Sequence, residues 1–341
     1  MFCVFQRYVL AVTAILMIVA STHAHAVTID WVTVGDAGNA ADTTTYGAVA
    51  DAFQIMKFEW TNSQYVEFLN AVDPNGTNPN AIYNTSMGSD ARGGISFDTN
   101  ASTGSKYAAR ANMGDKPVNY VSWFDAARVA NWLQNGQGTG STETGAYTLN
   151  GATTGNAPAV NSGATYFIPT EDQWYKAAYY KGSGTNAGYW DYATQSDTAP
   201  TAVTADATGI GSAGSTGNFA NYNTFADWNG QDGNVTTVGT NGGPSAYGAF
   251  DMSGNVYEWN DLDGLAASGS SRGLRGGDWD FNAFSLSSSG RGTTVPSLEF
   301  DGFYGFRLAS PVAVPEPSTW VMGLAGIACE GWGMWRRGKR A

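Results

Sequence analysis

Outside its two ends, this chain of 341 residues contains neither cysteine nor histidine: Cys3, His23, His25 and Cys329 all lie in terminal segments. The body can therefore form no disulfide, offers no thiolate or imidazole as nucleophile or base, and cannot build a zinc or copper site of the usual His/Cys kind. Charge is scarce too, at 13% of residues, and the formal net charge is -12. Nucleic acid is excluded as a partner, because phosphate binding requires clustered Lys and Arg. No apolar run reaches the ~20 residues that a helical bilayer crossing demands. What remains is carboxylates, amides, hydroxyls and aromatic rings. With 43% hydrophobic residues, 13% aromatic residues and 44 glycines, the chain can bury a full core but reads as loop-rich, with short elements.

Both ends read as addresses. Arg7 precedes "YVLAVTAILMIVA" and then "STHAHA", where Ala24 and Ala26 fit a signal peptidase site of the A-x-A type; residues 1–26 are expected to be a signal peptide, with the mature start near Val27. At the other end, "VPEPSTWVMGLAGIACEGWGMWRRGKRA" sets Pro-Glu-Pro before a short apolar span and a basic tail. Residues 312–341 resemble the PEP-CTERM sorting signal of Gram-negative bacteria. That resemblance implies export across the inner membrane, recognition by an exosortase, and a place at the outer surface or in the extracellular matrix. Glu330 interrupts the apolar span, which weakens it as an anchor.

Three helices stand out in residues 27–311. "TNSQYVEFLNAV" starts at Thr61 as N-cap and sets Tyr65, Phe68, Leu69 and Val72 on one face. "SWFDAARVANWLQNG" opens with a capping box of Ser122 and Asp125 and stops at Asn135-Gly136, and "PTEDQWYKAAYYKG" repeats the device with Thr170 and Gln173 and runs to Gly182. Between them lie Gly-, Thr-, Ser- and Asn-rich tracts without apolar periodicity, expected as long loops. No linker divides two domains. After Asn218 the texture becomes short and punctuated, with alternation in "NVYEW" and turn glycines, so the class is α+β.

Six segments in order, "FQIMKFEWTNSQYVEFLNAV", "KPVNYVSWFDAARVANWL", "YFIPTEDQWYKAAYY", "GAFDMSGNVYEWN", "LRGGDWDF" and "GFRLA", resemble the successive signatures of the sulfatase-modifying factor, or formylglycine-generating enzyme, family. The resemblance implies one domain with that family's loop-rich variant of the C-type lectin fold. It also implies an oxidase that converts a sulfatase cysteine to formylglycine using oxygen and copper held by two cysteines. Those cysteines fall five and ten residues after Gly276, where this chain has Phe281 and Leu286, so copper is not expected. Asp278 stands where the family has serine.

The family's calcium sites carry over better. A first set would be Asp251 and Glu258 with the carbonyls of Gly254 and Val256; a second would be Asn221 and Asp232 with the carbonyls of Tyr222 and Asn234. Both are oxygen-only donor sets of the kind calcium takes, although acidic turn residues also serve their own backbones. In "GGDWDFNAFSLSSSGRG" the expectation is a binding surface: Trp279, Phe281 and Phe284 with Asp278, Asp280, Asn282 and Arg291, presented to a glycan or peptide. Phe281 and Phe284 read equally well as core. This loop also resembles the C-terminal region of the lectin-like variable proteins of diversity-generating retroelements, from which the Pro-Glu-Pro tail sets the chain apart. Two alternatives stand beside the binding module. One is an active family member, either a formylglycine-generating-type oxidase or an enzyme with altered chemistry by Asp278 and Asp280, which would share a side in a strand; the other is a structural matrix protein.

Overall fold

The computed structural model describes residues 26–262, 269, 271–299 and 302–311. The expected leader, apart from Ala26, and the expected sorting tail lie outside the described residues. Among the described residues no helix is long and apolar enough to cross a membrane. In chain order the elements are strands β1 (Trp31–Val34) and β2 (Phe53–Met56), helices α1 (Asn62–Val72) and α2 (Ser86–Ser89), strands β3 (Ile95–Phe97) and β4 (Tyr107–Ala109), and helices α3 (Trp123–Gln134) and α4 (Glu171–Tyr179). They continue with strands β5 (Thr201–Ala202), β6 (Phe219–Ala220), β7 (Tyr257–Asn260) and β8 (Arg272–Arg275), helix α5 (Ala283–Leu286), and strands β9 (Gly292–Thr294), β10 (Tyr304–Gly305) and β11 (Ala309–Pro311).

The three expected helices form where their caps place them. Thr61, Ser122 and Thr170 each accept from the backbone N–H three residues on, and Gln64, Asp125 and Gln173 accept in return from the cap N–H, so two orphan donors are satisfied at each start. α4 ends earlier than the sequence suggests. Tyr180 leaves the helix in extended geometry (φ -66, ψ 136), and its ring packs edge-on to Tyr189 at 4.9 Å. α3 differs more: all its residues from Trp123 to Leu133 are buried, polar ones included. Asn131 donates to the carbonyls of Thr142 and Tyr147 and accepts from the Tyr147 N–H, while Arg128 pairs with Glu143 at 2.8 Å and donates to the Ala152 carbonyl. The Gly- and Thr-rich tract after α3 is thereby ordered by side chains rather than by a sheet ladder.

Two sheets organise the remainder. β1 and β11 both pair antiparallel with β2, so strands from the two ends of the domain flank one another's neighbour. The second sheet has the order β10-β7-β8-β9, with β10 parallel to β7 and the other pairs antiparallel. Strand alternation turns Tyr257 and Trp259 to one face and Glu258 to the other. On that second face Glu258, fully buried, accepts from Arg307 Nε and Nη2 at 2.6 Å each and from Trp174 Nε1 at 2.7 Å. Arg307 also donates to the carbonyls of Met56 and Phe250. One ion pair therefore connects β7, α4, the end of β2 and the approach to β11.

Removing one partner of a buried pair strands the other charge. Arg307→Met is expected to cost about 3–5 kcal/mol in urea unfolding, with Glu258→Leu in the same chain recovering part of that loss. A cost below about 1 kcal/mol would show that the pair does not hold these elements together.

Candidate functional site

β8 ends at Arg275, and the next two residues make the turn into the loop. Gly276 (φ 96) and Gly277 (φ 71) both occupy the left-handed region, which side chains disfavour. A Cβ on Gly277 would lie 2.6 Å from Leu286 Cδ1. Leu286 is fully buried, so it fills the space over the glycine turn.

Asp278 then folds the loop back. Its Oδ1 accepts from the backbone N–H groups of Asp280 (2.9 Å) and Phe281 (3.0 Å). The segment is consequently a turn and not a strand. Asp278 is 0% exposed whereas Asp280 is exposed, so the two carboxylates do not share a side. This corrects the strand-based pairing expected for carboxylate chemistry; the aspartate's own side chain captures the backbone that a strand would have used. Further hydrogen bonds pin the loop, from Trp279 N–H to the Asn255 carbonyl, from Thr224 N–H to the Trp279 carbonyl and from Asn223 N–H to the Phe281 carbonyl.

The aromatic residues divide differently from expectation. Trp279 faces inward at 4% exposure, packed between Phe303 at 5.2 Å and the Arg92 guanidinium at 4.4 Å, and does not present its face as expected. Phe281 and Phe284, which could have been core, are exposed at 45% and 66%. Asn282 caps α5 by accepting from the Phe284 N–H. Arg291 does not join the loop's acidic residues: it pairs through two nitrogens with Glu171 on α4, at 2.7 and 2.8 Å, and Glu171 also holds Arg275.

The loop does bound a groove of about 300 Å³ on the Tyr257 face of the second sheet. Tyr257 and Tyr304, opposite one another on β7 and β10, line it with Leu274 from β8. Phe281 and Phe303 meet edge-to-face at 6.1 Å, and Phe281 meets Tyr257 at 5.6 Å. Thr293 and Thr294 of β9 contribute the opposite side. Asp278 lines the groove as well, and its Oδ2 has no hydrogen-bond partner among the described residues. The two tyrosines, Phe303 and the threonines escaped the sequence reading. Their signal was the alternation of "NVYEW", which put Tyr257 and Trp259 on one face without revealing which strands would lie beside them. A larger cleft of about 570 Å³ near Trp132 and Glu67 contributes no unpartnered buried side-chain polar atom among the described residues.

Neither metal set is assembled as spacing suggested. Phe281 and Leu286 offer no donor, so nothing at these positions fits copper. In the first calcium set, the Glu258 oxygens are held by Arg307 and Trp174, and those of Asp251 accept from Gly239 N–H (2.5 Å) and Asn241 Nδ2 (2.9 Å). A cation would compete with these donors. Yet charge is unbalanced there: Glu59, also buried, brings a third carboxyl group to one arginine, and burial followed by repulsion from Asp251 and Glu258 pushes its pKa well up. Burial likewise raises that of Asp251. In the second set Asp232 is exposed, but Asn221 is fully buried, its Oδ1 lacks a partner among the described residues, and its Nδ2 lies 2.8 Å from the Asn234 carbonyl. That Nδ2 donates to the Asn234 carbonyl, so the carbonyl is already engaged and Asn221 Oδ1 is the set's buried side-chain oxygen left without a partner among the described residues. Gly254 and Val256, with Tyr222, lie in the adjoining segments, where Asn221 bridges to Gly254. Among the described residues no group of three acidic, His or Cys side chains is close enough to hold a metal.

Known proteins place this architecture. The model of the sulfatase-modifying factor enzyme 1-like domain matches residues 29–312, and the chain belongs to that family. The fold is therefore the family's C-type lectin-like one, mixed α and β with little regular structure. Among solved structures, Treponema denticola variable protein 1 is similar at 19% identity and a TM-score of 0.50, over 84% of this chain and 97% of that one. CarF (21% identity, TM-score 0.47, 84% and 99% covered) and PvdO from Pseudomonas aeruginosa (18%, 0.42, 83% and 92%) are also similar. No curated protein matches the chain.

Burial, with a smaller contribution from Asp280, pushes the Asp278 carboxyl up to about 7, against the backbone N–H bonds that favour its ionised form. A carboxyl raised in the folded state contributes stability that is present below its unfolded value, near 4, and lost as pH rises to about 7. Asp278→Asn keeps the two Oδ1 bonds and removes the charge. The variant is expected to melt above the wild type at pH 8, with the gap closing towards pH 4; a gap independent of pH would refute the assignment.

Proposed function

We propose that this is an exported member of the sulfatase-modifying factor family that binds rather than oxidises, holding a glycan or peptide in the groove beside Asp278. The observation that carries the reading is the composition of that groove: an exposed phenylalanine and two tyrosines beside a buried carboxylate, with Phe281 and Leu286 where the family's copper chemistry needs cysteine. Rings with a few convergent polar atoms suit the faces and edges of sugars and side chains. The leader and the Pro-Glu-Pro tail support processing by signal peptidase and an exosortase, and residence at the surface or in the extracellular matrix of a Gram-negative bacterium. On glycan and peptide arrays, Phe281→Ala and Tyr304→Ala are expected to weaken captured ligands about tenfold; unchanged capture by both variants would sink the reading.

Calcium serves this reading as a structural ion. The unpartnered buried oxygen of Asn221 supports it, as does the excess of buried carboxyl groups around Arg307. When bound, the ion would neutralise charge and join the 221–234 segment to the loop at Gly254. Chelation is expected to lower the melting temperature of the wild type and to leave Asn221→Ala indifferent. A midpoint unmoved by chelator and by added calcium would dismiss the ion.

A further inference from the structure

We propose that the groove selects an amino sugar, with the ligand's primary ammonium on Asp278 Oδ2 and its ring against Tyr257, Tyr304 and Phe281; this rests on the groove-binding reading above. Asp278 is 0% exposed, one of its oxygens is engaged by two backbone N–H groups, and the other has no partner among the described residues. A buried carboxylate without a counter-charge is an incomplete pair. Among the described residues no Lys or Arg lines the groove to complete it. The nearby Arg92 lies on the face of Trp279 and donates to the carbonyls of Gly233 and Asp232. Asp280 adds further negative charge.

The walls point the same way. Aromatic faces attract cations and disfavour anions, so acidic sugars and phosphorylated ligands fit poorly here. The volume of about 300 Å³ suits a single ring-sized body, and Thr294, which the strand register puts on the same face as Leu274 and Tyr257, offers a hydroxyl group at one edge. A pyranose matches all three features. Its C–H face covers rings, a hydroxyl meets Thr294, and an amino substituent reaches the carboxylate. A linear alkylammonium such as a lysine side chain would use the carboxylate and leave the threonine edge without a partner.

The test is calorimetric titration of the full chain with glucosamine, N-acetylglucosamine and Nα-acetyl-lysine amide, on the wild type, Asp278→Asn and Phe281→Ala. Glucosamine is expected to bind at least about tenfold more tightly than its N-acetyl counterpart and than the lysine probe. That preference should vanish in Asp278→Asn while the far-ultraviolet spectrum is unchanged. The comparison between the two sugars on the wild type stands by itself should the variant fail to fold. Equal binding of both sugars, still weakened by Phe281→Ala, would overturn the ammonium assignment and leave the groove reading intact. Tighter binding of the lysine probe would overturn the sugar assignment. If no probe binds and Phe281→Ala leaves array capture unchanged, both readings fall.

Discussion

Everything in this domain depends on where one buried arginine goes. Arg307 lies between β10 and β11, and its guanidinium closes on Glu258 at the centre of the second sheet while holding the carbonyls of Met56 and Phe250. The two sheets make no continuous ladder, so this pair and the Trp174 contact serve as the joint between them. A charge pair at such a position specifies an arrangement more than it stabilises one, since only one placement of the two strands satisfies both groups. The opposite face of the same strand carries Tyr257, and the groove's floor is therefore fixed by the register that Glu258 imposes from beneath.

A second constraint comes from the scarcity of regular structure. Loops buried without ladders must satisfy their backbone groups some other way, and here buried amides do it. Asn62 donates to the carbonyls of Met113, Lys116 and Pro117; Asn131 orders the tract after α3; Asn255 joins Glu59 to the Thr236 backbone. Asn221 belongs to this group too, and its Oδ1, like that of Asn62, has no hydrogen-bond partner among the described residues.

Much of this was legible in the residues. The three helix starts were carried by capping boxes, a local device whose chemistry is complete within four positions. The family emerged from six motifs in order, and turns from the glycines that punctuate the chain after Asn218. What could not be read was anything set by burial at a distance. Asn62 and Asn131 look like exposed polar positions on amphipathic helices until the loops they hold are in place. Trp279 looks like a ligand platform, and only the approach of Arg92 and Phe303 makes it core. Arg291 sits beside the loop in sequence, but Glu171 on another helix draws it away. The groove itself joins residues from β7 to β10, a set that depends on strand order, and alternation alone does not give strand order.

The position of Arg307 along the chain also governs how the molecule is made. The residues it neutralises and ties together, from Met56 to Glu258, emerge from the ribosome long before it does, and β11, which completes the first sheet against β2, follows it. Until those last residues are available, three carboxyl groups would have to share a dry interior with no cation of the chain's own. The counter-charge for Glu59, Asp251 and Glu258 is thus supplied by one of the last segments of the domain to be made.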